Sequence, residues 1–186
     1  TIPGPDKPDY TEVKAPANYK NPEAIEKYQR ANVDTAWQKQ ALDELRGRVL
    51  VIGYAFESAT PQTIVVEDEK AALAKFQDVV IAERDIEWCG WNIAGFDLSW
   101  LVSRAIKFNL VHLASALPRA RQYHRYRDLM QEWAGVNYRN NRSLKDVADY
   151  LGIERPAVEG GDVFELWQTG KVGQVADYCA SDVRLC

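Results

Sequence analysis

The chain has 186 residues, of which 46% are apolar and 27% charged, so it is long enough for one globular domain with its own core. No run approaches the ~18 consecutive apolar residues of a transmembrane helix, which excludes a membrane-spanning protein. The formal net charge of −4 argues against a protein that coats nucleic acid, whereas an enzyme that grips a few nucleotides needs only a local basic rim.

The cysteines are few and widely spaced: Cys89, Cys179 and Cys186. An odd count without a C-x-x-C pair predicts reduced thiols in a cytoplasmic protein, and no disulfide framework. With only His112 and His124, the sequence also argues against a zinc site.

The first part of the chain predicts a helix followed by a β-hairpin. Four prolines among residues 1–20 predict an irregular start. Asn21-Pro22-Glu23 has the N-cap, the proline and the acid of a helix start, and this helix is expected to run to about Leu45, before Gly47. Arg48 to Phe56 and Gln62 to Val66 are rich in β-branched and aromatic residues and predict two strands with a hairpin connection.

The second part of the chain predicts mainly helices. The expected elements are a helix from Glu67 to about Ala82, a buried strand from Ile86 to Trp91, and helices over Asp97 to Phe108, Ser143 to Leu151, Val163 to Trp167 and Lys171 to the end. Ser143 is the expected N-cap of its helix, and Gly152 follows that helix. Interleaved strands and helices predict a single layered α/β or α+β domain over residues 1–186.

Asp97 is the first candidate for chemistry. It follows the strand that ends near Trp91, after a turn that Gly95 permits, and it lies at the start of a helix. A carboxylate there interacts with the helix dipole, which favours its ionised form, and it projects from the end of a strand, where α/β sheets place their sites. The alternative interpretation is an acidic N-cap without a catalytic role.

Tyr178 and Asp182 are the second candidate pair. They lie four residues apart on the last predicted helix and therefore share one face. A carboxylate can hold a metal ion while a neighbouring phenol positions a water molecule. The alternative is an ordinary half-buried tyrosine beside an exposed aspartate.

Taken in order, these residues resemble two motifs of the DEDD exonucleases. Asn92-x-x-x-Phe96-Asp97-x-x-x-Leu101 resembles the second motif, and Tyr178-x-x-x-Asp182 resembles the third motif in its tyrosine form, the DEDDy branch. The sequence is similar to a phage and bacterial family of predicted 3′-5′ exonucleases related to the exonuclease domain of family B DNA polymerases. Further stretches that resemble this family are residues 15–20, 47–53, 143–148 and 161–167.

The resemblance implies an α/β, RNase H-like (exonuclease) fold with a mixed central sheet flanked by helices. The first motif of the family is Asp-x-Glu at the start of the first strand. Asp9-x-x-Glu12 has the wrong spacing for it, and Thr1-Ile2-Pro3 resembles the residues that directly follow it. We therefore expect the first strand and its two carboxylates to precede Thr1, and residues 183–186 to belong to a helix that is cut short.

The resemblance also implies the chemistry. In these enzymes four carboxylates hold two divalent ions, and carboxylate ligands suit Mg²⁺ or Mn²⁺. Asp97 and Asp182 would supply two of the four, while Tyr178 would orient the attacking water or help to deprotonate it. Asn92 is a candidate contact to the terminal nucleotide or else a turn residue, and Phe96 stacks near a base or else belongs to the core.

One basic cluster is a candidate binding rim for single-stranded DNA. It combines cationic with aromatic side chains, a composition found where proteins bind single strands. Arg121 and Arg125 are its candidate contacts, and a solvated loop or helix face is the alternative. The whole cluster consists of Arg119, Arg121, Tyr123, His124, Arg125, Tyr126 and Arg127.

The expected function is therefore hydrolysis of single-stranded DNA from its 3′ end. The expected partners are single-stranded DNA or DNA 3′ ends, and a replication or recombination protein is a further candidate. An RNA 3′-5′ exonuclease with the same site is one alternative, because recognition of the 2′-hydroxyl depends on pocket shape. A catalytically inactive RNase H-like module that binds nucleic acid is another, and a plain scaffold domain a third. The sequence leaves pathway and oligomeric state open.

Overall fold

The computed structural model describes residues 1–65, 68–83, 85–119, 122–137 and 139–186 of the chain. These residues form two compact units, Thr1–Val49 and Leu50–Cys186. The single domain over residues 1–186 stays a prediction. Of the helices within these ranges, none is both long and apolar enough to cross a membrane.

The first unit is mainly helical. Its elements are a 3₁₀ turn at Tyr10–Glu12, helix α1 (Pro22–Ala31), helix α2 (Val33–Lys39) and a second 3₁₀ turn at Gln40–Leu42. The predicted helix start is confirmed, because the Asn21 side chain accepts a hydrogen bond from the Glu23 amide at 2.9 Å. The extended chain at Ile2 forms an antiparallel bridge with Arg48, and Ile2 is fully buried.

The prediction of one helix reaching to about Leu45 is wrong, because the helix is interrupted at Asn32. The Asn32 backbone has φ −113° and ψ 9°, outside the helical region. Its side-chain amide donates a hydrogen bond to the Tyr28 carbonyl oxygen at 2.8 Å. An asparagine side chain that bonds to the backbone competes with the regular helical hydrogen bonds, which explains the break.

The second unit begins with the predicted hairpin. Strand β1 (Val51–Tyr54) pairs antiparallel with strand β2 (Gln62–Val65). The β1 strand is shorter than the predicted strand from Arg48 to Phe56. Val66, the predicted end of the second strand, lies outside the described residues, as does Glu67, the predicted start of the next helix.

Helices form most of the second unit. They are α3 (Glu69–Ala82), α4 (Asp97–Lys107), α5 (Val111–Ala116), α6 (Leu129–Ala134), α7 (Leu144–Leu151), α8 (Val163–Gln168) and α9 (Val172–Leu185). The sequence predicted five of these helices, but not α5 or α6. The predicted caps of α7 are confirmed: the Asp146 amide donates to Ser143 Oγ at 3.1 Å, and Gly152 ends the helix with φ +68°.

A second pair of strands lies beside the start of α4. Strand β3 (Trp88–Gly90) pairs in parallel with strand β4 (Tyr126–Asp128), with Gly90 opposite Asp128. The sequence predicted β3 as part of a longer strand and did not predict β4. Because parallel strands end at the same edge, Asp128 lies next to the loop that leaves β3.

The described residues therefore form a mixed α/β protein with small sheets. They contain two separate two-stranded sheets, β1–β2 and β3–β4, instead of the one mixed central sheet that the resemblance implied. The strands of these sheets are short, with four residues each in β1 and β2 and three each in β3 and β4.

Helix α4 is held in place by α3 and α5. These three helices carry buried apolar side chains: Ala72, Leu73, Phe76, Leu98, Leu101, Ala105 and Leu113. Arg104 on α4 forms a buried ion pair with Glu69 at the start of α3, with Nε donating to Glu69 Oε1 at 2.7 Å. The helix that begins at Asp97 is thus fixed by both packing and charge.

Helix α9 packs closely on β1 at Gly53. A Cβ atom added at Gly53 would lie 2.7 Å from the Cys179 sulfur and 2.9 Å from Val183 Cγ2. Neither distance is tolerated between real atoms, so only glycine permits this approach of helix to strand. Since Tyr178 and Asp182 flank these two contacts on α9, Gly53 helps to set their position.

Replacement of Gly53 by alanine is expected to destabilise the protein by about 1–3 kcal/mol, because the methyl group overpacks the contact with α9. Thermal or urea unfolding measures this loss. Gly173→Ala is the matched control, because Gly173 lies on α9 itself and a Cβ atom added there would meet no neighbouring atom within 4 Å. A Gly53→Ala protein as stable as the Gly173→Ala control would contradict the close packing.

Candidate active site

Tyr178 and Asp182 form a hydrogen-bonded pair one turn apart on α9. Both side chains are half-buried. Burial, followed by the charge of Asp182 and the hydrogen bond to it, raises the pKa of Tyr178 well above its usual range. Burial also raises the pKa of Asp182, although the hydrogen bond from Tyr178 partly offsets this effect. The phenol therefore stays protonated at neutral pH and donates to the carboxylate.

Asp97 is the first residue of α4 and lies within electrostatic reach of Asp182. Its pKa is raised to about 6, chiefly by desolvation of the carboxyl group, which outweighs the backbone hydrogen bond at Asp97, and to a smaller extent by the charges of Asp128 and Asp182. The sequence predicted the opposite direction from the helix dipole alone. Asp97 as a whole residue remains exposed, so solvent screens these charges and keeps the cost of ionisation moderate.

The raised pKa of Asp97 predicts that its ionised form destabilises the protein when no cation is present. The pKa of about 6 lies above the ordinary value of 3.8, so the folded chain holds the proton more tightly than the unfolded chain. Stability then falls as pH rises from 3.8 to about 6 and stays lower above that range. Asp97→Asn is expected to unfold at a higher temperature than the natural protein at pH 7.5 in a chelating buffer.

Thermal unfolding at pH 4 and at pH 7.5 checks this expectation. The difference between the two proteins should shrink towards pH 4, where the natural carboxyl group takes up its proton. Asp177→Asn is the control, because Asp177 is an exposed carboxylate on α9 and its replacement should leave the unfolding temperature nearly unchanged. Equal unfolding temperatures for Asp97→Asn and the natural protein at pH 7.5 would contradict the electrostatic account.

A third carboxylate, Asp128, lies at the site but was not singled out from the sequence. Only 5% of its surface is exposed. It ends β4, caps α6 through a hydrogen bond from the Met130 amide, and accepts hydrogen bonds from the Asn92 and Ala94 amides. The sequence signal was weak: an aspartate before the apolar Leu129-Met130 pair, which is typical of an N-cap.

Asn92 and Phe96 lie in the loop between β3 and α4. Asn92 has a positive φ of 54°, and its carbonyl oxygen accepts hydrogen bonds from the Gly95 and Phe96 amides, so it is a turn residue in this structure. Phe96 packs against the buried Trp100 with ring centroids 5.9 Å apart. Whether either residue also contacts a nucleotide stays a prediction.

An open groove of about 690 Å³ runs beside this loop. Three side-chain amides line it, together with one methionine, one glutamate and two glycines: Asn92, Gln131, Asn141, Met130, Glu132, Gly95 and Gly135. Groups that both donate and accept hydrogen bonds suit the edges of nucleobases. The groove therefore presents three side-chain amides next to the loop that leads to Asp97.

The basic cluster is tied to the protein by its own hydrogen bonds. Arg125 Nη2 donates to the Ala116 carbonyl oxygen at 2.8 Å, and Arg127 pairs with Glu132 through both carboxylate oxygens. Arg121 lies outside the described residues. Binding of DNA by this cluster stays a prediction.

The chain also contains an Asp-x-Glu sequence, Asp85-Ile86-Glu87. Both acidic residues are exposed at the turn before β3, and Asp85 has a positive φ of 57°. Neither is among the charges that shift the pKa of Asp97. Spacing alone thus does not make this pair part of the site around Asp97 and Asp182.

Comparison with known proteins identifies the family to which this chain belongs. No curated protein matches the chain. Residues 56–184 match a family described as predicted 3′-5′ exonucleases related to the exonuclease domain of PolB, which confirms the resemblance, while a phage or bacterial origin stays a prediction. The matched range includes the loop at Asn92, the start of α4 and the Tyr178–Asp182 pair. The chain belongs to this family of predicted 3′-5′ exonucleases.

Proposed function

We propose that this protein is a metal-dependent 3′-5′ exonuclease that hydrolyses single-stranded DNA, and that its second unit is built on an RNase H-like fold. The observation that carries the proposal is that Asp182 on α9 lies within electrostatic range of Asp97 on α4 and accepts a hydrogen bond from Tyr178. These elements are far apart in the sequence, yet the charges of their side chains act on one another. Family membership supports the 3′-5′ direction.

The side chains at this site fit a hard divalent cation in their chemistry. Asp97 and Asp182 both have raised pKa values, so each is more costly to ionise than an ordinary aspartate. A cation between them would offset this cost, and carboxylate oxygens are the ligands that Mg²⁺ and Mn²⁺ prefer. No group of three or more metal-ligating side chains is found among the described residues, so the pair provides only part of a ligand set.

We assign two roles to these three residues. Asp97 and Asp182 would hold the two divalent ions together with oxygen ligands from outside this pair. When bound, such ions stabilise the charge that develops on the attacked phosphate and lower the pKa of water. Tyr178 orients the attacking water by hydrogen bonding, because its raised pKa keeps the phenol protonated and makes it a poor base at neutral pH.

Further surfaces of the second unit are consistent with a single-stranded substrate. The amide-lined groove beside Asn92 has a volume of about 690 Å³, within the range of small-ligand sites. Phe96 and the exposed ring of Tyr123, which packs against Tyr126, are aromatic surfaces on which a base can stack. We therefore propose single-stranded DNA as the substrate and DNA 3′ ends as the binding partner, with Arg125 at the rim.

Replacement of Tyr178 by phenylalanine tests the role of the phenol. Loss of one group that positions a reacting water is expected to lower kcat by about 10²-fold. The measurement is the single-turnover rate of 3′ nucleotide release from a labelled oligonucleotide in Mn²⁺. The variant should still bind the oligonucleotide, because the hydroxyl group contacts Asp182 on the protein itself.

The alternatives predict different outcomes in the same assay. An RNA exonuclease would degrade an RNA oligonucleotide faster than DNA of equal sequence. An inactive binding module would retain the oligonucleotide without shortening it. A Tyr178→Phe protein with an unchanged rate would remove Tyr178 from the mechanism.

A further inference from the structure

Asp128 connects two elements that meet at the proposed active site. Its Oδ1 atom accepts hydrogen bonds from the Asn92 amide at 3.0 Å and the Met130 amide at 3.2 Å. Its Oδ2 atom accepts from the Ala94 amide at 3.2 Å and from Gln131 Nε2 at 3.3 Å. Each carboxylate oxygen thus joins the loop after β3 to the first turn of α6.

The loop on one side of this connection leads directly to Asp97. It contains Asn92, with φ +54°, and the Asn92 side-chain Oδ1 lies 2.5 Å from the position of a Cβ added at Gly95, so the turn is tight. The two amide hydrogen bonds to Asp128 are contacts from outside the loop that hold Asn92 and Ala94.

The contacts of Asp128 argue against a role as a metal ligand. The carboxylate is buried, and both oxygens already accept two hydrogen bonds each from the protein. A carboxylate with four donors has few lone pairs left for a cation. Asp128 therefore acts on the site through the loop that it anchors.

We propose that Asp128 is a positioning residue that holds the Asn92–Ala94 segment and, through it, the Asp97 carboxylate in the geometry required to bind a divalent cation. This inference rests on the proposed function. It assigns a role to a residue outside both exonuclease motifs. The parallel register, with Gly90 opposite Asp128, places the carboxylate at the loop.

Calorimetric titration of Mn²⁺ into the Asp128→Asn protein tests the proposal without measuring activity. The amide nitrogen of asparagine cannot accept hydrogen bonds, so the loop loses at least one of its anchors. We expect the Mn²⁺ affinity to fall about 10- to 100-fold, the usual effect of removing a residue that orients a metal ligand. Activity at limiting Mn²⁺ should fall in parallel and recover in part at saturating Mn²⁺.

Two further variants separate positioning from general destabilisation. Asp68→Asn changes another helix-capping aspartate, which accepts a hydrogen bond from the Ala71 amide on α3, and should leave Mn²⁺ affinity unchanged. Gln131→Met removes only the Nε2 hydrogen bond to Asp128 and should weaken Mn²⁺ binding in the same direction, by less. It serves as the test if Asp128→Asn does not fold.

The possible results distinguish this inference from the proposed function. If folded Asp128→Asn binds Mn²⁺ as tightly as the natural protein, the positioning role is overturned and the exonuclease proposal stands. If Asp128→Asn does not fold, the same result with Gln131→Met leads to the same conclusion. Failure of the natural protein itself to bind Mn²⁺ would overturn both, whereas Mn²⁺ binding without any shortening of DNA would overturn only the exonuclease proposal. Lower stability with unchanged Mn²⁺ affinity would assign Asp128 a purely structural role.

Discussion

Replacement of Asp182 by asparagine is expected to lower the rate of 3′-end hydrolysis by roughly 10²–10³-fold, because loss of one metal-holding carboxylate removes about 3–4 kcal/mol of transition-state stabilisation. Asparagine keeps the size of the side chain but removes its charge. The Tyr178 phenol can still donate to the remaining carbonyl oxygen, so the local geometry should be retained. Single-turnover degradation of a labelled oligonucleotide in Mg²⁺ or Mn²⁺ measures the effect.

Asp97→Asn should show a loss of similar size, since both carboxylates are proposed to hold the same ions. The double variant should be little worse than either single variant, because residues that act as a unit have strongly non-additive effects. Asp177→Asn is the control on α9: its carboxylate is exposed and adjacent to Tyr178 in the sequence, and its replacement should preserve activity. Full activity in Asp182→Asn would contradict the assignment of the site.

The largest expected effect on stability comes from Glu69→Ala. The side chains of Glu69 and Arg104 are 8% and 3% exposed, and they form an ion pair in the interior of the second unit. Removal of the carboxylate leaves the Arg104 guanidinium buried without its counter-charge, which costs about 3–5 kcal/mol. The unfolding temperature should fall by roughly 6–20 °C, the shift expected for a chain of this length.

Glu132→Ala is the matched control for this effect. Glu132 pairs with Arg127 through two hydrogen bonds, but both side chains are about half exposed, so the loss should be about 0–1 kcal/mol. Joint replacement of Glu69 and Arg104 by methionine should recover part of the stability, because no buried charge remains. Equal losses of stability for Glu69→Ala and Glu132→Ala would show that burial does not increase the contribution of the Glu69–Arg104 pair.

The sequence was most informative where residues recur with a regular period. Tyr178 and Asp182 could be placed on one helix face because four residues make about one helical turn. Asp97 could be placed at a helix start because Gly95 precedes it and an amphipathic run follows. Both placements are seen in the structure, and the proximity of Asp97 to Asp182 agrees with the motif order.

Elements held by tertiary contacts could not be predicted in this way. Strand β4 has three residues, Tyr126, Arg127 and Asp128, and two of them are charged, so its composition does not indicate a strand. It exists because it pairs with β3 and because Asp128 receives hydrogen bonds from a loop more than thirty residues away in sequence. The pKa of Asp97 also depends on such neighbours, which the helix dipole alone does not include.

The most direct test of the proposed function is degradation of a 5′-labelled single-stranded DNA by the protein in its natural full length, with Mn²⁺. The account predicts a ladder of products that shorten from the 3′ end, with intact 5′ label, and no ladder with Asp182→Asn or in a chelating buffer. Release of the 5′ label as a mononucleotide would contradict the proposed direction. Retention of the oligonucleotide without any shortening would instead identify a nucleic-acid-binding module that does not catalyse hydrolysis.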